Sequence, residues 1–126
     1  MNKFDELEIE AKRKGNTEML TLLQMVGGEF KSLGLEDSKE AEEVMEFCEY
    51  QLSDEHSKIE KQRYLVNMKL KQLKKLNKMT DAGVDNIIKD IEEVLEKSEM
   101  LPEDEMPIAL DAITSTIDKC VFAIIM

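Results

Sequence analysis

The sequence predicts an all-α protein, a bundle of five or six helices, and three observations support this. Apolar residues recur every three or four positions through most of the 126 residues. Five Gly and two Pro are few, so long uninterrupted elements are expected. Alternation with a period of two never persists, and no Asn-Gly or Asp-Gly hairpin turn occurs.

The N-terminal part predicts two helices with clear ends. Gly15 is expected to end the first helix, because a Gly often occupies the left-handed position after a helix. Asn16 or Thr17 is expected to cap the second helix. The apolar residues of the first helix are Phe4, Leu7 and Ala11. Those of the second are Met19, Leu22, Leu23, Val26, Phe30 and Leu33.

Gly27 and Gly28 lie inside the second helix. A Gly in a helix interior costs about 1 kcal/mol relative to Ala. The pair therefore indicates a kink or a close approach of another backbone. Simple tolerance of both glycines is the alternative.

The third helix is expected to begin at Asp37 or Ser38, after Gly34 ends the second. No Pro or Gly interrupts the sequence at Ser53, so we expect this helix to run to about Gln62, with a break at Ser53 as the alternative. Its apolar residues are Ala41, Val44, Met45, Cys48, Leu52 and Ile59.

The C-terminal half predicts three more helices. Thr80 and Asp81 follow Met79 as a predicted helix cap, and Pro102 is expected to end the helix that they begin. Pro107 suits the first turn of the last helix. Three apolar stripes support these helices: Tyr64, Leu65, Met68, Leu70, Leu73 and Leu76; Val84, Ile87, Ile88, Ile91, Val94 and Leu95; Ala109, Ile113, Ile117, Cys120, Val121 and Ile124.

A boundary near Met79 would divide this bundle into two parts. Residues 1–79 would form an N-terminal helical bundle with long helices. Residues 80–126 would form a C-terminal helical hairpin. Because the connections are short, we expect the two parts to pack as one unit.

The net charge of −11 is unevenly distributed. Residues 36–57 carry nine acidic and one basic side chain, residues 58–80 carry one acidic and eight basic, and residues 81–111 carry eleven acidic and two basic. The overall charge disfavours a general nucleic-acid binder. The basic segment either packs between acidic helices or forms an exposed surface for a phosphate backbone or an acidic partner.

Composition favours a cytoplasmic protein. The longest apolar run, Cys120 to Met126, has seven residues, whereas a membrane-spanning helix needs roughly 20. The first ten residues are charged and do not resemble a signal peptide. Cys48 and Cys120 make no secreted disulfide framework, and we expect both to be reduced, buried thiols.

No pattern of catalytic or cofactor-binding residues is recognisable, so we expect neither an enzyme nor a cofactor. The single histidine, His56, follows Ser53 rather than the Glu of a Glu-x-x-His di-iron motif. With Cys48 and Cys120 it is too small a ligand set for a metal site. Gly27-Gly28 lacks the Lys-Ser or Lys-Thr of a phosphate loop.

The order of these signals resembles the YqeY-like family, which is related to the tail domain of the tRNA-dependent amidotransferase B subunit. The resemblance lies in the Leu-rich helix Thr17–Leu33, the acidic start Asp37–Val44 and the cap Met79–Ala82. Lys75–Lys78 stands where that family usually has Tyr-Leu-Pro. The resemblance implies a helical module that contacts tRNA or an amidotransferase-like partner without catalysis, with the basic helix as the contact surface.

Three groups of residues are candidates for binding. The basic helix carries Lys58, Lys61, Arg63, Lys69, Lys71, Lys74, Lys75 and Lys78. The acidic faces carry Glu40, Glu43, Glu46, Glu49, Asp85, Glu92, Glu96 and Glu99. Phe122 and Ile125 lie off the last apolar stripe, so this helix end is expected to be buried in the core or in a homodimer, with a docking peptide as the alternative.

The sequence thus predicts a non-catalytic helical interaction module that contacts a protein or tRNA partner. The alternative is an acidic inhibitor, phage-encoded, that mimics nucleic-acid charge and blocks a host enzyme. No membrane partner is expected.

Overall fold

The computed structural model describes residues 3–126 and contains, in that range, six α-helices and no strand. The predicted all-α class is therefore confirmed. The helices are α1 (Lys3–Arg13), α2 (Thr17–Leu33), α3 (Lys39–Leu52), α4 (Lys58–Thr80), α5 (Asp85–Ser98) and α6 (Met106–Ile125). Among these six, none combines the length and the apolar character needed to cross a membrane.

Helix contacts divide the chain into two units, Met1–Ser57 and Lys58–Met126. This division differs from the predicted parts 1–79 and 80–126. The predicted boundary lies near the end of α4, and α4 packs against α5 and α6 within the second unit. The composition change near Met79 marks a turn inside the second unit.

The first unit consists of α1, α2 and α3 around an aliphatic and aromatic core. Helices α1 and α2 run antiparallel, because Phe4 at the start of α1 stacks on Phe30 near the end of α2, with ring centroids 6.0 Å apart. Lys31 and Asp5 form an ion pair of 3.2 Å beside this stack. The buried apolar side chains are Phe4, Leu7, Ala11, Leu23, Ala41, Phe47, Cys48 and Leu52.

The connections of this unit follow the predicted turn chemistry. Gly15 and Gly34 both have positive φ, 67° and 70°, which a residue with a Cβ rarely adopts. Asn16 caps α2 by accepting a hydrogen bond from the amide of Met19 at 3.1 Å. Ser38 caps α3 in the same way. The sequence offered Asn16 or Thr17 as the cap of α2 and Asp37 or Ser38 as that of α3. The structure shows that Asn16 and Ser38 are the capping residues.

The predicted continuation of α3 to Gln62 is wrong. The helix ends at Leu52, and Ser53 is extended (φ −68°, ψ 139°). The Lys14 ammonium at the end of α1 donates to the Leu52 carbonyl and lies 3.2 Å from the Asp54 carboxylate. Because α3 has no basic residue in its last turn, Lys14 supplies the cation that a helix C-terminus favours.

Gly27 and Gly28 have different reasons to be glycine. A Cβ at Gly27 would lie 3.1 Å from Cδ1 of Phe4, whereas a Cβ at Gly28 would meet nothing within 4 Å. Gly27 thus permits the close approach of a side chain, not of a backbone as predicted. Gly28 fits the alternative that the helix simply tolerates a glycine.

The second unit consists of α4, α5 and α6. Helices α4 and α6 run parallel, because Gln62 donates to Asp111 at 2.6 Å and Lys69 donates to Asp118 at 2.7 Å, seven residues further along both helices. Helix α5 runs antiparallel to them. The core is aliphatic: Val66, Leu70, Leu73, Ile88, Ile91, Leu110, Ile113 and Ile117.

Asn77 organises the turn from α4 to α5. Its side chain is buried, accepts a hydrogen bond from the amide of Val84 at 3.1 Å and donates to the Asp85 carboxylate at 3.0 Å. The predicted cap at Thr80 and Asp81 is wrong, because α4 continues to Thr80 and α5 begins at Asp85. Asn77 satisfies an amide at the start of α5 from the preceding helix.

The last helix begins as predicted, with Pro107 in its first turn. At this position the missing amide hydrogen costs nothing. Its carbonyl oxygen accepts a hydrogen bond from Gln62 at 3.0 Å. The start of α6 is therefore fixed against α4.

We predict different outcomes for two alanine substitutions at neighbouring positions. Gly28→Ala should raise the free energy of unfolding by about 1 kcal/mol, because it removes a helix-interior glycine at an open site. Gly27→Ala should be less stable than Gly28→Ala, because the Phe4 ring must move. Urea unfolding measures both. Equal stabilisation by the two substitutions would contradict the role given to Gly27.

A second prediction concerns the turn. Asn77→Ala should lower the free energy of unfolding by about 1–2 kcal/mol, because an amide and a carboxylate at the start of α5 lose their partner. Asn67→Ala on the exposed side of the same helix is the matched control. Thermal and urea unfolding check the difference, and an equal effect of both substitutions would sink the capping role of Asn77.

Candidate functional site

The predicted acidic face of α5 is directed toward α4. Asp85, Glu92 and Glu99 are spaced seven residues apart and therefore share one side of α5. Asp85 bonds to Asn77, Glu92 lies 3.4 Å from Lys74, and Glu99 lies 3.7 Å from Arg63. Glu96 is exposed beside them. These carboxylates complement α4 within the unit, as one of the two charge interpretations predicted.

The predicted basic helix is correspondingly divided. Arg63, Lys69 and Lys74 pair with carboxylates of the same unit. Lys61 is half-buried. The remaining cations lie exposed on α4: Lys58, Lys71, Lys75 and Lys78.

The acidic face of α3 is exposed throughout. Glu40, Glu43, Glu46 and Glu49 all lie on the surface of the first unit. Glu49 forms an ion pair of 3.1 Å with Lys3 at the start of α1. Such exposed pairs add little stability.

Phe122 and Ile125 are not buried in the core of this chain. Their exposed fractions are 65% and 70%, so the core version of the prediction is wrong for both. Val121 and Ile124 on the other side of the helix pack against the core cluster instead. The homodimer and docking alternatives stay predictions.

An apolar groove lies between α5 and α6, and we call it the α5/α6 groove. One half has a volume of about 380 Å³. Its α5 wall contains Ile87, Ile91 and Val94, and its α6 wall contains Ala109, Ala112, Ile113 and Thr116, with Asp90 at the rim. Large side chains on α5 thus stand beside small ones on α6.

The groove continues toward the C-terminal end of α6. The other half has a volume of about 370 Å³ and shares Ile87 with the first. Its remaining lining is Thr80, Ala82, Val84, Cys120, Ala123 and Ile124. From Ala109 to Ile124 the groove therefore follows about 22 Å of α6, at 1.5 Å per residue.

The sequence analysis placed Ile87, Ile91 and Val94 in one apolar stripe of this helix. Ile87 and Val94 are 43% and 51% exposed, so the core does not cover the whole of that stripe. Two signals could have revealed the groove. Ile87 and Val94 lie seven residues apart at one edge of the apolar arc of α5. Small residues also recur along one side of α6: Ala109, Ala112, Thr116, Cys120 and Ala123.

Charges around the groove are mainly acidic at the end where Val94 and Ala109 meet. Asp90 lines the groove, and Glu105 precedes Ala109 by one helical turn. Lys97 is compensated by Glu93 at 3.1 Å. Lys119 lies on α6 toward the other end. The groove is therefore apolar along its floor and negatively charged at one end.

The two cysteines have different environments. Cys48 is fully buried in the first unit, and burial raises the pKa of its thiol to about 11. Cys120 is partly exposed in the wall of the α5/α6 groove. In the described part of the chain, no cluster of three or more His, Cys, Asp or Glu side chains is arranged to hold a metal ion.

Comparison with protein-family models, with curated proteins and with solved structures gave no match to this chain. The resemblance to the YqeY-like family therefore stays a prediction.

Cys120 should report on the openness of the groove. At pH 8, iodoacetamide should modify Cys120 at least about tenfold faster than Cys48, because the reactive thiolate is scarce at Cys48 and the reagent cannot reach it. Mass spectrometry of the digested protein gives both rates. In urea the two rates should converge, which serves as the control. Equal rates in the folded protein would contradict the burial described for Cys48.

Proposed function

We propose that this chain is a non-catalytic interaction module that binds a protein partner through the α5/α6 groove. The observation that carries the proposal is the exposure of large aliphatic side chains, Ile87 and Val94, beside small residues of α6. Contiguous exposed apolar surface with a polar surround is typical of protein interaction sites. A helix lying in such a groove would cover this surface.

The chemistry of the groove supports binding rather than catalysis. Its lining is aliphatic apart from few polar groups. The Thr116 hydroxyl already donates to the Ala112 carbonyl at 2.9 Å within α6. Asp90 stands at the rim without a histidine, lysine or second carboxylate in the same lining. Apolar contact is what this surface offers a ligand.

Affinity capture from the native cell tests this proposal. Tagged wild-type protein, Ile87→Asp and Ile108→Asp are compared, with nuclease added to each sample. Ile108 is an exposed apolar residue of α6 outside the groove, so it is the matched control. We expect one stoichiometric, nuclease-resistant protein that Ile87→Asp loses and Ile108→Asp retains. Equal recovery by all three proteins would overturn the proposal.

A tRNA contact through α4 is the second candidate, and the resemblance to the YqeY-like family implies it. The supporting observation is that Lys71, Lys75 and Lys78 lie exposed on two successive turns of one helix face. Clustered lysines of this kind bind phosphate backbones. The net charge of −11 weakens this candidate relative to the groove.

Charge reversal separates the two candidates. The double substitution Lys75→Glu and Lys78→Glu should reduce tRNA binding at least about tenfold at low salt. Reversing Lys12 and Lys39 in the first unit changes the net charge equally and is the control. Filter binding measures both. Equal affinity of the two double variants would show that α4 is not the contact surface.

The acidic inhibitor has less support. Three of the carboxylates that would mimic phosphates, Asp85, Glu92 and Glu99, are engaged by α4. Glu40 and Glu46 on α3 remain exposed. A mimic would have to act through the first unit.

A further inference from the structure

We propose that the occupant of the α5/α6 groove is a cationic amphipathic helix of a partner protein. This inference rests on the proposed function and adds the chemical class of the partner. Two properties of the groove define the occupant: its shape selects a helix with an apolar face, and its uncompensated charge selects basic residues beside that face.

The shape of the groove matches a helix of about four turns. The groove extends over sixteen residues of α6, from Ala109 to Ile124. Ile87 and Val94 are seven residues apart on α5, so they present two aliphatic side chains at a spacing of two turns. Apolar side chains at positions i, i+3, i+4 and i+7 of a bound helix would pack between them, over the small residues of α6.

The uncompensated charge of this region is negative. The carboxylates that α5 directs toward α4 have partners there, but those on the groove side do not. Within residues 3–126, no ion pair engages Asp90, and the same holds for the three acidic residues before α6, Glu103, Asp104 and Glu105. On α5, Lys97 is paired with Glu93, and Lys89 lies with Lys74 and Asp85 on the side of the helix that faces α4. Basic side chains at the matching end of an occupant would supply the missing partners.

A second copy of this chain fits the groove less well. Each copy carries a net charge of −11 and brings its own uncompensated carboxylates beside the same apolar wall. Association of two like-charged faces is opposed by repulsion, and salt would strengthen such a dimer. Salt would weaken a complex with a cationic helix.

Designed peptides test the inference on the full chain. Four 18-residue probes are used. Three of them have leucines along the same helical face. Their other positions are filled with lysine in the first peptide, glutamine in the second and glutamate in the third. The fourth has the composition of the lysine peptide, with the leucines spread over all sides. Fluorescence anisotropy gives each affinity, and the alkylation rate of Cys120 shows whether the groove is covered.

The lysine peptide should bind at least about tenfold more tightly than the glutamine peptide at low salt, and this difference should shrink at high salt. It should also slow Cys120 alkylation severalfold. The scattered lysine peptide should leave that rate unchanged, because it has the charge without the apolar face.

Other outcomes would overturn separate parts of the proposal. If the lysine and glutamine peptides bind equally and both protect Cys120, the groove binds a helix but the cationic partner is wrong. If no peptide protects Cys120, the proposed function fails as well. Sedimentation of the wild type as a dimer that Ile87→Asp dissociates would replace the cationic helix with a second copy.

Matched variants locate the charge contribution. Asp90→Asn with Asp104→Asn should remove most of the preference for lysine over glutamine, and leave the affinity for the glutamine peptide unchanged. Glu29→Gln with Glu42→Gln, two exposed residues of the first unit, changes the net charge equally and should preserve the preference. The same loss in both variants would mean that the peptide responds to total charge only, which would overturn the inference.

Discussion

The placement of α5 between its two neighbours is the constraint on which the second unit depends. Asn77 fixes the start of α5 by bonding to Val84 and Asp85. Ile88 and Ile91 are buried in the core, and the carboxylates of Glu92 and Glu99 lie on the side of the helix that faces α4. These contacts define the rotation of α5 about its axis, and the rotation decides which side chains remain exposed.

That rotation explains how an apolar surface arises in a highly charged chain. Once the carboxylate side of α5 faces α4, Ile87 and Val94 lie at the edge of the apolar arc that is farthest from α4. Ile87 and Val94 are therefore left outside, next to α6. Because α6 presents the small side chains of Ala109 and Ala112 there, the two helices leave the α5/α6 groove between them rather than a closed interface. The α5/α6 groove and the pairing of α5 carboxylates with α4 thus both follow from the rotation of α5 about its axis.

Local rules predicted the parts of the fold that depend on neighbours in sequence. Gly15, Gly34 and Pro107 occupy the positions expected from their backbone preferences. The rules failed where distant residues decide the outcome. The end of α3 is stabilised by Lys14, 38 residues before Leu52. The start of α5 is capped from the preceding helix, which no local cap motif reveals.

The candidate site could be predicted only in part for the same reason. Helical periodicity places Ile87, Ile91 and Val94 on one apolar side of α5, but it does not say how much of that side a neighbour covers. The burial of Ile91 and the exposure of the other two depend on where α6 lies. The charged residues of α4 and α5 could be recognised by type, whereas their pairing required the antiparallel register. The exposed fraction of a side chain is decided by how the helices pack, which periodicity along the sequence does not reveal.

The most direct measurement fills the α5/α6 groove without altering its charge or the aliphatic side chains of Ile87 and Val94. Ala112→Leu places a larger side chain at an exposed position of the groove, and Ser115→Leu places the same side chain on α6 outside it. The affinity of the lysine peptide for each variant is compared with that of the wild type. Loss of binding in Ala112→Leu alone, with unfolding stability retained, is the predicted result. Unchanged affinity in both variants would contradict binding in the α5/α6 groove.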